Sequence, residues 1–190
     1  MMHTRSTTGV RSRRHRSAGF TLIEAALTTV IVGTGVLAIV AAQQTYVYKN
    51  DWAQRTALGM MLANELRELT LTLPMHDPLT GDSNIGVEAG ENSVADFDDL
   101  DDFAGPIVSG YGQGLTFSPP INALRQTLND LEGWSQHIKV ESVLPESLDS
   151  VFTAPLGSTD MMRVTVRVDY QGPNDSEPMT ITEMTWVVSN

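Results

Sequence analysis

The 190-residue sequence has no cysteine. Disulfides are therefore excluded, although that alone does not locate the protein, since an envelope protein need not use them. Histidine is scarce: His3, His15, His76 and His137 are all there is. No Glu-x-x-His, no histidine pair at helical spacing and no nucleophile elbow occurs among them. Nothing in the chain proposes a reaction, and the expectation is that it is not an enzyme. Basic residues are few and unevenly placed. Arg5, Arg11, Arg13, Arg14 and Arg16 are five of the 12 Lys and Arg residues, and no acid accompanies them before Gly19. Without that leader the net charge falls from −11 to about −16. So acidic an exterior argues against nucleic acid as a partner, because a phosphate backbone is gripped by clustered Lys and Arg. Proline is missing until Pro74, and Ala25 to Ala42 has neither proline nor charge.

That last absence marks the stretch around which the chain is organised. At about 1.5 Å per helical residue, Ala25 to Ala42 reaches roughly 27 Å, close to the hydrocarbon thickness of a bilayer. A basic segment, Arg11-Ser12-Arg13-Arg14-His15-Arg16, precedes it, and one acid, Glu24, sits at its entry. An ionisable side chain there is costly unless partnered. A secretory signal peptide would be cut after the apolar run, at the small residues Ala38 to Ala42. Against that reading, the run is long, Glu24 interrupts its start, and a helical pattern continues beyond Ala42. The basic residues could serve as a nucleic-acid arm, but beside an apolar span they predict topology: leader cytoplasmic, the rest outside the cytoplasm.

Ala18-Gly19-Phe20-Thr21-Leu22-Ile23-Glu24 resembles the processing site of type IV prepilins and of type II secretion pseudopilins. The resemblance covers roughly residues 11 to 73. It implies cleavage after Gly19 by a membrane prepilin peptidase and N-methylation of the new terminus, Phe20. It also implies a role for Glu24: docking to the amino terminus of a neighbouring subunit in a filament. The partners implied are the peptidase, other pilins or pseudopilins, an inner-membrane assembly platform and membrane lipid. The carboxy-terminal disulfide loop of many major pilins is ruled out here.

Residues 1–19 are expected to be a cleaved leader. From Phe20 the pattern predicts an unbroken helix to about Leu73, stopped by Pro74, with 20–43 spanning a membrane and 44–73 amphipathic. Ala25, Thr29 and Gly33 form a face of small residues that permits close helix approach. Gly33 and Gly35 are either harmless in lipid or a local softening. Tyr46, Tyr48 and Trp52 read as an interfacial aromatic belt. Leu58, Leu62, Leu66, Leu69 and Leu73 then recur at helical spacing, a stripe to be buried against a sheet.

Residues 74–190 are expected to form a globular head outside the cytoplasm. Met75 to Asn84 reads as turns. Negative charge then gathers at Glu88, Glu91, Asp96, Asp98, Asp99, Asp101 and Asp102, around Val94, Phe97, Leu100 and Phe103. The string from Asp96 to Gly105 resembles an acidic stretch in some minor pilins of the mannose-sensitive haemagglutinin type. Asp96, Asp98, Asp99, Asp101 and Asp102 are calcium candidates, since hard cations take clustered carboxylates. Their spacing is not that of an EF-hand, and the favoured expectation is a solvated acidic loop anchored by Phe97 and Phe103, with no cofactor required. Gly105 to Gly114 lacks the lysine of a phosphate loop and is expected to be a mobile surface loop. Ser118-Pro119-Pro120 is expected to start a short helix buried through Ile121, Leu124, Leu128 and Leu131 and stopped at Gly133.

From Trp134 the period becomes two. Trp134, Gln136, Ile138 and Val140 share one face, and His137, Lys139 and Glu141 the other. Met162 to Tyr170 is the cleanest strand, Gln171 to Pro178 a hairpin loop, and Met179 to Val188 the last strand. The fold class expected is α+β: a long amino-terminal helix packed on an antiparallel sheet of at least three strands. The resemblance implies a minor pilin-like structural subunit of a type IV pilus. A type II secretion pseudopilin, and a membrane-anchored adhesin or binding module acting through head loops, remain open beside it.

Overall fold

The computed structural model describes residues 19–77, 85–148 and 153–189. They fall into two compact units, one up to Lys49 and one from Asn50 onward. Helix α1, Leu22–Leu71, contributes its first half to one and its second half to the other.

In the first unit α1 begins at Thr21, whose hydroxyl accepts the Glu24 N–H at 3.3 Å and whose carbonyl accepts that of Ala25. A threonine cap with an acid in the first turn suits the unpaired N–H groups and the positive end of the helix. The following segment is apolar on all sides and exposed, from Leu27 to Val40. By length and composition it could cross a membrane. Its threonines leave no free hydroxyl donor. Thr28 donates to the Glu24 carbonyl at 2.7 Å, Thr29 to Ala25 at 2.9 Å and Thr34 to Ile31 at 3.0 Å. Backbone acceptors one turn back thus satisfy groups that lipid could not.

In the second unit α1 presents Leu62, Ala63, Leu66 and Leu69 to the core, with Leu58 and Leu73 half-buried at the ends of the same stripe. The helix ends at Leu71, two residues short of the expected Leu73. The residue before a proline avoids helical geometry, and the last turn is closed locally: Leu73 N–H bonds the Thr70 carbonyl and the Thr72 hydroxyl that of Leu69.

The sheet holds four antiparallel strands in sequence order: β3 (Leu115–Phe117), β4 (Trp134–Ser142), β5 (Met161–Tyr170) and β6 (Met179–Ser189). The period of two places Trp134, Gln136, Ile138 and Val140 inward on β4, and Met162, Val164, Val166 and Val168 inward on β5. Register runs from Trp134 opposite Tyr170 to Ser142 opposite Met162. On the other side β5 meets β6 with a bulge at Val168/Asp169, where two successive residues are buried. A bulge re-aims side chains in this way. The core lies between the helix stripe and this face. Leu100 and Phe103 fill it from the segment after α1, and Phe97 stacks edge-on against Phe103 at 5.2 Å.

Three expectations fail. Residues 121–131 are not helical. Ile121 is buried as expected, but Leu124 is 76% exposed. The Asn122 side chain accepts the N–H groups of Leu124 and Gln126, Arg125 takes a positive φ of 63°, and Ile121 bridges Thr127. A short polar side chain bonding local backbone is what diverts a segment from helix. The glycine-rich stretch is not a loose surface loop. Strands β1 (Ile107–Val108) and β2 (Tyr111–Gly112) pair there. A Cβ on Gly112 would meet Ala104, and one on Gly105 would meet the Gly114 carbonyl. These glycines permit close backbone approach. Finally, the acidic stretch is not a solvated loop: Asp99, Asp101 and Asp102 are fully buried. The expected turns at 78–84 lie outside the described residues.

Candidate functional site

The candidate residues lie in two places. Gly19 and Phe20 precede α1 outside any regular element and are exposed, Phe20 to 68%. Nothing lies within 4 Å of where a Gly19 Cβ would be. Glu24 is exposed one turn into the helix, and its carboxylate has no partner among the described residues. Thr21 caps the helix, and no described residue offers Glu24 a cation.

The second place is the acidic segment of the head. Its carboxylates separate by role. Asp96 is exposed and accepts the N–H groups of Asn92 and Ser93 and the Ser93 hydroxyl, all near 3.0 Å. The Asn92 N–H bond above all holds it below the usual carboxylate range, the Ser93 hydroxyl adding to this. Asp96 is thus a turn-former. Asp101 is buried but served: one oxygen accepts the Gly86 N–H, and the other meets His76 Nδ1 at 2.5 Å. Burial still raises its pKa, with His76 opposing. So His76, read from sequence as part of a turn, is the buried counterpart of Asp101.

Asp98, Asp99 and Asp102 form the remaining group, joined by Glu88 and Glu91. Oxygens of Glu88, Asp99 and Asp102 lie within 4.8 Å of one another, as do those of Glu91, Asp98 and Asp102. The 3-10 turn Asp101–Ala104 carries Asp102, and Asp99 stands just before its cap, Leu100. Asp102 N–H donates to Asp99 Oδ1 at 3.1 Å, and Asp102 Oδ2 accepts the N–H groups of Asp98 and Asp99. Apolar neighbours fix the turn, since Leu100 and Phe103 face the core. Within this group Glu88 Oε1, Asp99 Oδ2 and Asp102 Oδ1 are buried with no hydrogen-bond partner among the described residues, as is Asp169 Oδ1 elsewhere. Burial lifts the Asp99 pKa to about 7, with Asp101 adding to it. Burial and then the Asp99 charge lift Asp102 to about 8. Burial and a carboxyl contact from Glu91 lift Glu88 to about 7. Like charges out of water favour the protonated form. Of the sequence-selected set, the structure keeps Asp98, Asp99 and Asp102 together, gives Asp96 and Asp101 other tasks, and brings in Glu88 and Glu91.

One further polar group was not expected. His137, assigned from the alternation to a solvated face, is half-buried. Its Nδ1 meets the Thr116 hydroxyl at 2.8 Å and its Nε2 meets Asp169 Oδ2 at 3.1 Å. A hydroxyl, an imidazole and a carboxylate in line resemble a nucleophile relay. Here Thr116 sits within β3 directly opposite His137, and Arg167 Nε also donates to Asp169 at 3.1 Å. The backbone around the hydroxyl belongs to a strand ladder, not to a turn that aims N–H groups at a developing oxyanion. The arrangement ties β3, β4 and β5 together across the outer sheet face.

The chain matches no protein-family model, no curated protein and no solved structure. Its architecture is pilin-like: a 50-residue amino-terminal helix, apolar at first and then packed on a four-stranded antiparallel sheet.

Proposed function

We propose that this chain is a structural subunit of an envelope filament, a minor pilin of the type IV pilus kind, and that its role is assembly, not catalysis. One observation carries this reading. An exposed Gly19–Phe20 junction stands immediately before a helix that is apolar on every side and unburied, then amphipathic and packed against a sheet. An all-round apolar helix needs lipid or other helices around it. A membrane before assembly and neighbouring subunits after it supply both. The leader stays in the cytoplasm, the head lies outside it, and a prepilin peptidase cuts after Gly19 and methylates Phe20. Glu24 then meets the new amino group of a neighbouring subunit while the assembly platform inserts the helix. A buried pair of that kind sets register more than it adds stability, because misaligned packing leaves a charge alone.

Mass spectrometry of envelope protein tests the reading. The mature chain is expected to start at N-methylated Phe20, and a bulky residue replacing Gly19 to leave the leader attached. An intact leader on the native chain, or a terminus just after Ala42, refutes it.

A further inference from the structure

One group of carboxylates in the head stands apart from the paired ones, Asp101 and Asp169. None of Glu88, Glu91, Asp98, Asp99 and Asp102 forms an ion pair with Lys or Arg among the described residues. Asp99 and Asp102 are 0% exposed, and each keeps one oxygen without a donor. An isolated buried carboxylate is costly, and several sharing one site more so. Two things relieve such a cluster: protonation, or a bound cation.

We propose that Glu88, Asp99 and Asp102, with Glu91 and Asp98 on the more open side, form a calcium site in the head. The spacing fits the ion. Calcium takes oxygen ligands at about 2.4 Å, so two ligands of one ion lie at most about 4.8 Å apart. Both groups of three oxygens fall within that limit. Asp102 belongs to both groups and is the residue they share. Magnesium, with ligands near 2.1 Å in a strict octahedron and a reluctance to shed water, suits a looser and more hydrated site. Neither group contains histidine, so nothing favours zinc or another softer metal. The unpartnered oxygens of Glu88, Asp99 and Asp102 are an observation beside the clustering: these three ligand residues each keep a buried acceptor with no hydrogen-bond partner among the described residues.

The ion would have a structural effect. Glu88 and Glu91 precede the turn at residues 93–96, and Asp98 to Asp102 follow it. One cation joins the two limbs. It thereby secures Leu100 and Phe103, which the second limb inserts into the core, and the Leu100 N–H bond to the Pro74 carbonyl at the foot of α1. Calcium is thus a clasp between the acidic segment and the end of the helix. The proposal stands whether or not the chain is a pilin. If the head lies outside the cytoplasm, millimolar calcium there makes a modest affinity sufficient.

The test uses the full chain in detergent, stripped with EGTA, with calcium chloride alone as the probe and magnesium chloride at equal concentration as the comparison. Calcium at 1 mM is expected to raise the melting temperature of the head by about 5 °C, and magnesium to raise it far less. Asp99→Asn with Asp102→Asn is expected to abolish the calcium shift while melting in EGTA no lower than the native chain, because two buried charges are gone. Asp96→Asn, outside the set, keeps the shift. If the double variant does not fold, Glu88→Gln serves instead, with an expected loss of at least tenfold in calcium affinity by isothermal titration. No shift up to 10 mM calcium, an equal shift with magnesium, or an undiminished response in the ligand variant overturns the proposal.

Discussion

Gln136 offers the sharpest test of how the head is held together. It is fully buried on β4 among apolar residues, and its amide spans three elements. Its Oε1 accepts the Ile121 N–H at 2.8 Å, and its Nε2 donates to the carbonyls of Leu62 at 2.8 Å and Ile121 at 3.1 Å. Leu62 lies within α1, where its carbonyl has a helical partner, so it loses little if the amide goes. Ile121 is different. Its bridge to Thr127 is flanked by hydrogen bonds of Asn122 and Leu128, not its own. Gln136→Met keeps length and removes every polar atom, leaving the Ile121 N–H and carbonyl buried without partners. Each orphan costs about 1–3 kcal/mol, and releasing the buried amide returns about 1 kcal/mol. The expected loss is about 3 kcal/mol, roughly a hundredfold in the unfolding constant. Urea unfolding should show a lower midpoint at unchanged slope, since the native surface is the same. Hydrogen exchange should quicken first in residues 118–131. A loss below about 0.5 kcal/mol, or uniform loosening of the head, would refute the assignment of Gln136 as the link between helix, loop and sheet.

Gly59 lies where α1 touches β6, and a Cβ there would meet Ile181 Cγ2 at 2.8 Å. That methyl is fixed on a β-branched residue, so Gly59→Val should lower stability by about 2 kcal/mol despite better helix propensity, and denaturant titration reads it. Glu141 is buried enough to push its pKa up, but hydrogen bonds from Lys139 at 2.5 Å and Arg163 at 2.9 Å outweigh burial and hold it below the usual carboxylate range. Its contribution to stability is therefore present above the unfolded pKa of about 4.3 and lost as pH falls through the folded value; Glu141→Gln should flatten the fall in melting temperature below about pH 4.5, and an unchanged slope counts against it. Glu24→Ala and Glu24→Gln should both process normally yet appear in sheared filament fractions at a small part of the native level; equal incorporation by immunoblot removes Glu24 as the docking group.

The helix and the three long strands were legible because each carries one period over many residues. Leucines recurring from Leu58 to Leu73 and valines alternating from Val164 to Val168 leave one geometry that buries them. β3 was not legible, because Leu115-Thr116-Phe117 is too short to show a period and exists by pairing with Gln136 to Ile138. The segment from Ile121 to Leu131 misled for the opposite reason. Its apolar spacing is helical, but Asn122 bonds the backbone two and four residues on, and Gln136, distant in sequence, captures Ile121. A local polar bond and a buried tertiary one together outweigh a weak periodicity. The glycines from Gly105 to Gly114 were ambiguous in principle. Flexibility and close packing both require a missing side chain, and only the neighbours, Ala104 and the Gly114 carbonyl, distinguish them.

The site was half legible for a related reason. The proposed roles of Gly19, Phe20 and Glu24 rest on order along the chain alone, which is legible in sequence. The carboxylates of the head do not, because what matters there is which oxygens converge. Consecutive acids suggest a solvated run. Yet Leu100 and Phe103 drive the turn into the core, and Asp99 and Asp102 are carried in with them. Burial then sorts them. Asp101 finds His76 and the Gly86 amide, Asp96 stays in solvent on its own turn, and Asp99 and Asp102 are left facing Glu88 and Glu91 from an earlier limb. The glutamates and aspartates lie close in sequence, within residues 88–102, but at a spacing that matches no ligand motif. A regular ligand loop reveals itself in sequence because its ligands stand at fixed positions. A clasp between two limbs is hidden there because its purpose is to join what the sequence separates, and only the buried oxygens without donors give it away.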